Sequence, residues 1–91
     1  MLHRYWFLFD PKELHNSLPV LNLGCGVTAY SKTEAITLIR ETFAKLFINH
    51  TLPEIVECIE DVDVSQLDPN HIRPNMGNCV RLGIWFPLGF T

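Results

Sequence analysis

Apolar and polar positions along this chain fall into blocks that read as four strands and one helix. Arg4–Phe9 is a run of apolar and β-favouring residues halted by Asp10-Pro11, which predicts a first strand. From Pro11 to Asn22 the chain carries Pro, Asn and Ser with little periodicity. A connecting loop is expected there, with one helical turn around Lys12–His15. Gly24-Cys25-Gly26 leads into a second strand, roughly Gly26–Tyr30. Ser31-Lys32-Thr33-Glu34 is a capping box, in which Ser31 and Glu34 exchange side-chain-to-backbone hydrogen bonds. Behind it Ala35, Ile36, Leu38, Ile39, Phe43, Leu46 and Phe47 recur at three- and four-residue steps. That apolar stripe predicts an amphipathic helix of about four turns lying on a sheet.

Asn49 and Pro53 mark the helix exit, and Glu54–Val64 predicts a third strand. Its alternation is imperfect: Val56, Cys58, Val62 and Val64 share one parity, yet Glu60 falls among them, which signals a bulge or an early end. Asp68-Pro69 opens a short helical turn, Arg73–Asn78 is turn chemistry, and Val80–Phe86 predicts a fourth strand closed by Pro87. The expected architecture is a single α+β domain over residues 1–91. It is a small four-stranded mixed sheet in the order β-β-α-β-β, with one main helix on one face and a short helical turn before the last strand. A right-handed crossover through the helix would make the second and third strands parallel neighbours.

Strand alternation sends Tyr5, Phe7 and Phe9 to one side of the sheet, with Trp6 and Leu8 on the other. Both faces are thus apolar, and one helix covers one of them. The second face needs long loops or a second subunit, of which a twofold dimer is the commonest form. Composition sharpens this point. The apolar fraction is 47% in only 91 residues, and a chain this short has a thin core. Some apolar surface is expected to meet a partner. The net charge is −3 and the seven basic residues are scattered, whereas nucleic acid binding relies on clustered cations. No nucleic acid partner is expected. Cys25, Cys58 and Cys79 form no CxxC pair and no even set, which reads as reduced thiols. The apolar run Tyr5–Phe9 is too short for a signal core or a membrane span, so a cytoplasmic protein without a membrane partner is expected.

Four groups of residues carry candidate chemistry. Asp61 and Asp63 lie two apart, with His71 further on. Together they are weak candidates for holding a divalent metal ion. Cys25 between two glycines could be an exposed thiol, but no base is marked for it by spacing. A small core residue at a tight turn is the plainer reading. His71, Arg73 and Asn75 gather an imidazole, a guanidinium and an amide in one long loop, where ligand or partner contact is expected. The bland alternative is an ordered turn whose Asn side chains satisfy backbone groups while Arg73 pairs with Asp61–Asp68 carboxylates. Trp6 and Trp85 belong to an aromatic set on the outer candidate strands and are expected at an interface.

Several phrases occur together: Arg4-Tyr5-Trp6-Phe7, Gly24 to Tyr30, Glu60-Asp61-Val62-Asp63, His71 with Pro74-Asn75-Met76-Gly77, and Gly83 to Pro87. They resemble a group of small, uncharacterised bacterial proteins along nearly the whole chain. The resemblance implies a bacterial cytosolic origin and brings no assigned activity. The residues themselves favour a non-enzymatic interaction module, a homodimer or one docking on a protein partner. No catalytic residue and no cofactor is assigned. A binder of a small anionic or nucleotide-like ligand is the alternative, with Arg73, Arg81, Asn75 and Asn78 as donors and Trp85 as a stacking surface. A metal-dependent hydrolase using the acidic segment comes third.

Overall fold

The computed structural model describes residues 1–12, 23–44 and 54–87. Strands β1 (His3–Phe9), β2 (Cys25–Ala29), β3 (Ile55–Glu60) and β4 (Gly83–Phe86) form one sheet, with helix α1 (Lys32–Ala44) between β2 and β3 in sequence. The α+β class is as expected, but the sheet is antiparallel throughout and ordered β3-β1-β2-β4, not mixed. β2 and β3 do run in the same direction, since both are antiparallel to β1. β1 lies between them, so they never pair. Charge decides this order. β1 and β2 are fully enclosed by neighbours and carry apolar segments, Tyr5–Phe9 and Cys25–Ala29. β3 carries Glu57 and Glu60, which a central strand would bury and an edge strand keeps wet.

The start of α1 is capped nearly as its sequence suggests. Ser31 Oγ accepts the N–H of Glu34 at 3.1 Å, while the Glu34 carboxylate takes the N–H of Tyr30 at 2.9 Å, one residue earlier than expected. Ala35, Ile39 and Phe43 are buried against Tyr5, Phe7, Phe9, Val27 and Ile84 on one face of the sheet. Leu46 and Phe47, the expected last turn, and most of the Pro11–Asn22 loop lie outside the described residues.

The opposite face holds a second core. Trp6, Trp85 and Phe86 meet there, with ring centroids 5.8 Å apart for the two tryptophans and 5.4 Å for Trp6 and Phe86. A bulge makes this possible: Gly26 pairs with Phe86 and Val27 with Ile84, leaving Trp85 as the extra residue. Ile84 therefore stays on the helix side, while Trp85 and Phe86 both enter the second core. Its cover is the chain between β3 and β4, from which Val62 and Ile72 are buried and Leu67, Met76 and Cys79 pack alongside. That segment is built of turns, with short 3-10 helices at Val64–Gln66 and Arg73–Asn75. Of the two covers expected, long loops of the chain itself are the one seen on the second face.

β3 is shorter than Glu54–Val64. It stops at Glu60 because Asp61 turns into the left-handed region, with φ of 52°. The register also shifts between Leu8 and Phe9, which pair with Glu57 and Ile55, so Val56 is the unpaired extra residue. That bulge reverses the expected parity. Ile55 and Cys58 turn half-buried toward the helix-side core, while Val56 is 57% exposed.

Candidate functional site

The outer margin of β3 is the surface these elements leave open. β3 has one sheet neighbour, β1, and among the described residues nothing pairs with its other side. Val56 and Ile59 stand exposed on it beside exposed Glu57 and Glu60, with Glu57 and Ile59 on the second-core face and Glu60 on the helix face. An edge strand presents unpaired N–H and C=O groups, and charged side chains are the usual protection against indiscriminate pairing. Here the protection has one sign. Glu54, Glu57, Glu60, Asp61 and Asp63 are five of the ten acidic residues of the chain, and residues 54–63 contain no Lys or Arg. An approaching strand meets apolar and acidic side chains in turn.

The residues singled out from sequence separate into two groups. Trp6 and Trp85 are 4% and 0% exposed and belong to the second core. They are not at an open surface, because the bulge and the covering loops enclose them within this chain. His71, Arg73 and Asn75 are all exposed. His71 Nδ1 lies 3.0 Å from an Asp68 oxygen, and Asn75 Nδ2 donates to the His71 carbonyl at 2.8 Å. The Asn78 side chain likewise accepts the N–H of Val80 at 3.0 Å. These bonds are those of an ordered turn. Arg73 makes no ion pair with the acidic segment among the described residues, so that part of the bland alternative is absent too.

The three weak metal candidates are kept apart by separate partners. Asp61 bonds His3 at 2.8 Å, Asp63 accepts the Ser65 hydroxyl at 2.6 Å and its N–H at 3.0 Å, and His71 takes Asp68. Among the described residues no three His, Cys, Asp or Glu side chains converge to hold a metal ion. Cys25 is fully buried, and burial pushes its thiol far above the range in which a thiolate forms. It is a core residue. Cys58 is likewise pushed up, first by burial, with Lys32 opposing.

Asp63 and Asp68 do structural work that pH reveals. Hydrogen bonds from the Ser65 side chain and backbone hold the Asp63 carboxyl below the usual range, with the Arg4 charge helping. The Asn70 N–H, then the His71 side chain, does the same for Asp68. Both folded-state values lie below the ordinary 3.8. The stabilisation is therefore complete above that value and is lost as pH falls through the lowered ones. Thermal melts should drop more steeply below about pH 4 for the natural chain than for Asp63→Ala/Asp68→Ala. Parallel acid limbs would contradict this.

No family model, curated protein or solved structure matches this chain. No helix among the described residues is long and apolar enough to cross a membrane. Sequence reasoning had Glu57, Glu60 and Val56 within a strand but not at an edge. The signal available was the pair of glutamates in an otherwise apolar strand, which a central position would not tolerate.

Proposed function

We propose that the protein is an interaction module that takes an extended, basic segment of a partner protein as an added strand along β3. The observation that carries this reading is the open acidic edge itself: Val56 and Ile59 exposed beside Glu57 and Glu60 on a strand with one sheet neighbour among the described residues. Main-chain hydrogen bonds would give affinity, and alternate side chains would give selectivity. Lysines or arginines on the added strand would face the glutamates, and its apolar residues would cover Val56 and Ile59. A second copy of this chain is the poorer occupant. Two such edges would bring ten carboxylates near one another, five from each residue 54–63 stretch, and like charges across a strand pair are destabilising. The burial of Trp6 and Trp85 also removes the aromatic face that favoured a dimer.

The test is a fluorescence-anisotropy titration with a labelled peptide repeating Lys-Lys-Val-Val, which sets lysine and valine in turn on each face of an added strand. Saturable binding is expected, weakened at least tenfold by Glu57→Lys/Glu60→Lys and lost when alternate peptide amides are N-methylated. An N-methylated peptide that binds as tightly as its parent would reduce the effect to charge attraction and sink strand addition. Light scattering that reports a dimer whose β3 amides are protected from exchange would assign the edge to a second copy instead.

A further inference from the structure

At the end of the sheet where β1 begins and β3 ends, the Met1–Arg4 segment, Thr28, Asp61, Cys79 and Val80 enclose a cavity of about 380 Å³. This size lies within the range of small-molecule sites. Three local features build it. The left-handed turn at Asp61 brings its carboxylate to His3, with Nδ1 and Oδ1 2.8 Å apart. That contact fixes the imidazole plane and leaves the other ring nitrogen without a hydrogen-bond partner among the described residues. The buried Thr28 hydroxyl donates to the Cys79 carbonyl, which pins the 79–80 backbone over the sheet end as a wall. Arg4, half-buried at the start of β1, lines the same space, and among the described residues it has no ion pair within 4.0 Å.

A guanidinium with no ion pair within 4.0 Å among the described residues, at a recess with partly apolar walls, selects for an anion with an apolar body. Its fork fits a carboxylate through two parallel hydrogen bonds. The surrounding charge favours a guest of low charge: Asp61 lines the same space, so a dianion would be repelled more strongly than a monoanion. Leu2 and Val80 offer the apolar contact.

We propose that this cavity binds a small monocarboxylic acid, its carboxylate on Arg4, its apolar body against Leu2 and Val80, and a second polar contact from His3. The site is distinct from the β3 edge: none of these side chains belongs to β3, and either site can exist without the other.

Two-dimensional amide NMR of the full chain tests it, with phenylacetate, isovalerate and octanoate as probes. At least one should shift the amides of residues 2–4, 28, 61 and 79–80 in a saturable way. The corresponding carboxamide should bind at least tenfold more weakly, as should inorganic phosphate. Arg4→Gln should weaken the carboxylate at least tenfold. Val80→Trp, at a position 65% exposed on the rim, should do so by filling the space, without touching the charge. If none of the three acids shifts those amides, the proposal is overturned. It is equally overturned if the carboxamide or phosphate binds as tightly as the acid, or if Val80→Trp leaves the affinity unchanged.

Discussion

Trp85→Ala is expected to destabilise the protein by about 3–5 kcal/mol, the range for deleting a buried indole. Small domains have only about 5–15 kcal/mol of total stability, so this variant should be close to unfolding at room temperature. Trp85 is fully buried, touches Trp6 at 5.8 Å between centroids, and shares its core with Phe86, Val62 and Ile72. The covering segment is made of turns and two short 3-10 helices, so it has little regular structure of its own to close over an empty space. Trp85→Phe should be far milder. The indole Nε1 is buried without a hydrogen-bond partner among the described residues, and leaving such a donor unsatisfied costs about 1–3 kcal/mol. Phenylalanine removes that cost along with part of the ring volume, so a loss below half that of alanine is expected. Urea denaturation followed by far-ultraviolet circular dichroism measures both. A Trp85→Ala loss under about 1 kcal/mol would show that this second core collapses freely.

Gly26→Ala is the second large effect, and it runs through the same ring. A Cβ at Gly26 would sit 2.5–2.6 Å from three atoms of the Trp85 six-membered ring. The ring cannot slide away easily, because Trp6 and Phe86 pack beside it. Overpacking of this kind costs about 1–3 kcal/mol, and the enclosed position puts the expectation at the upper end. The clash also predicts coupling. In a Trp85→Phe background the offending atoms are gone, so Gly26→Ala should cost at least about 1 kcal/mol less than in the natural chain. Additive losses across the four-variant cycle would show that Gly26 is sensitive for a reason other than this contact.

The residues that could be read from sequence are those whose partners are local. The Ser31–Glu34 cap and the Ala35, Ile39 and Phe43 stripe depend on spacing within one helix, and they stand as expected. The β1 alternation also held, with Phe7 on the helix side and Trp6 opposite. Strand order was out of reach because it depends on non-local competition. β1 pairs with β3 across about fifty residues, and only the comparison of the β3 glutamates with the apolar Tyr5–Phe9 and Cys25–Ala29 segments hints at who takes the edge. The two bulges were illegible for a related reason. An extra residue at Val56 or Trp85 is defined against a partner strand, and each one reversed side-chain parity where simple alternation was assumed. The candidate site residues depend on the turn that carries them. His71, Arg73 and Asn75 looked convergent in sequence, and the structure binds His71 to Asp68 and Asn75 to the turn's own backbone. Arg4 and His3 drew no attention because their cavity is assembled from four separated segments.

The pairing of β2 with β4 has a bearing on synthesis. Gly26 meets Phe86, 60 positions later, so a growing chain carries Trp6 and the bare floor at Gly26 long before the residues that roof them exist. Until β4 leaves the ribosome, a nascent chain presents an apolar ledge beside an open strand margin, a combination that invites association with neighbouring chains. The second core is complete only once β4 has been made.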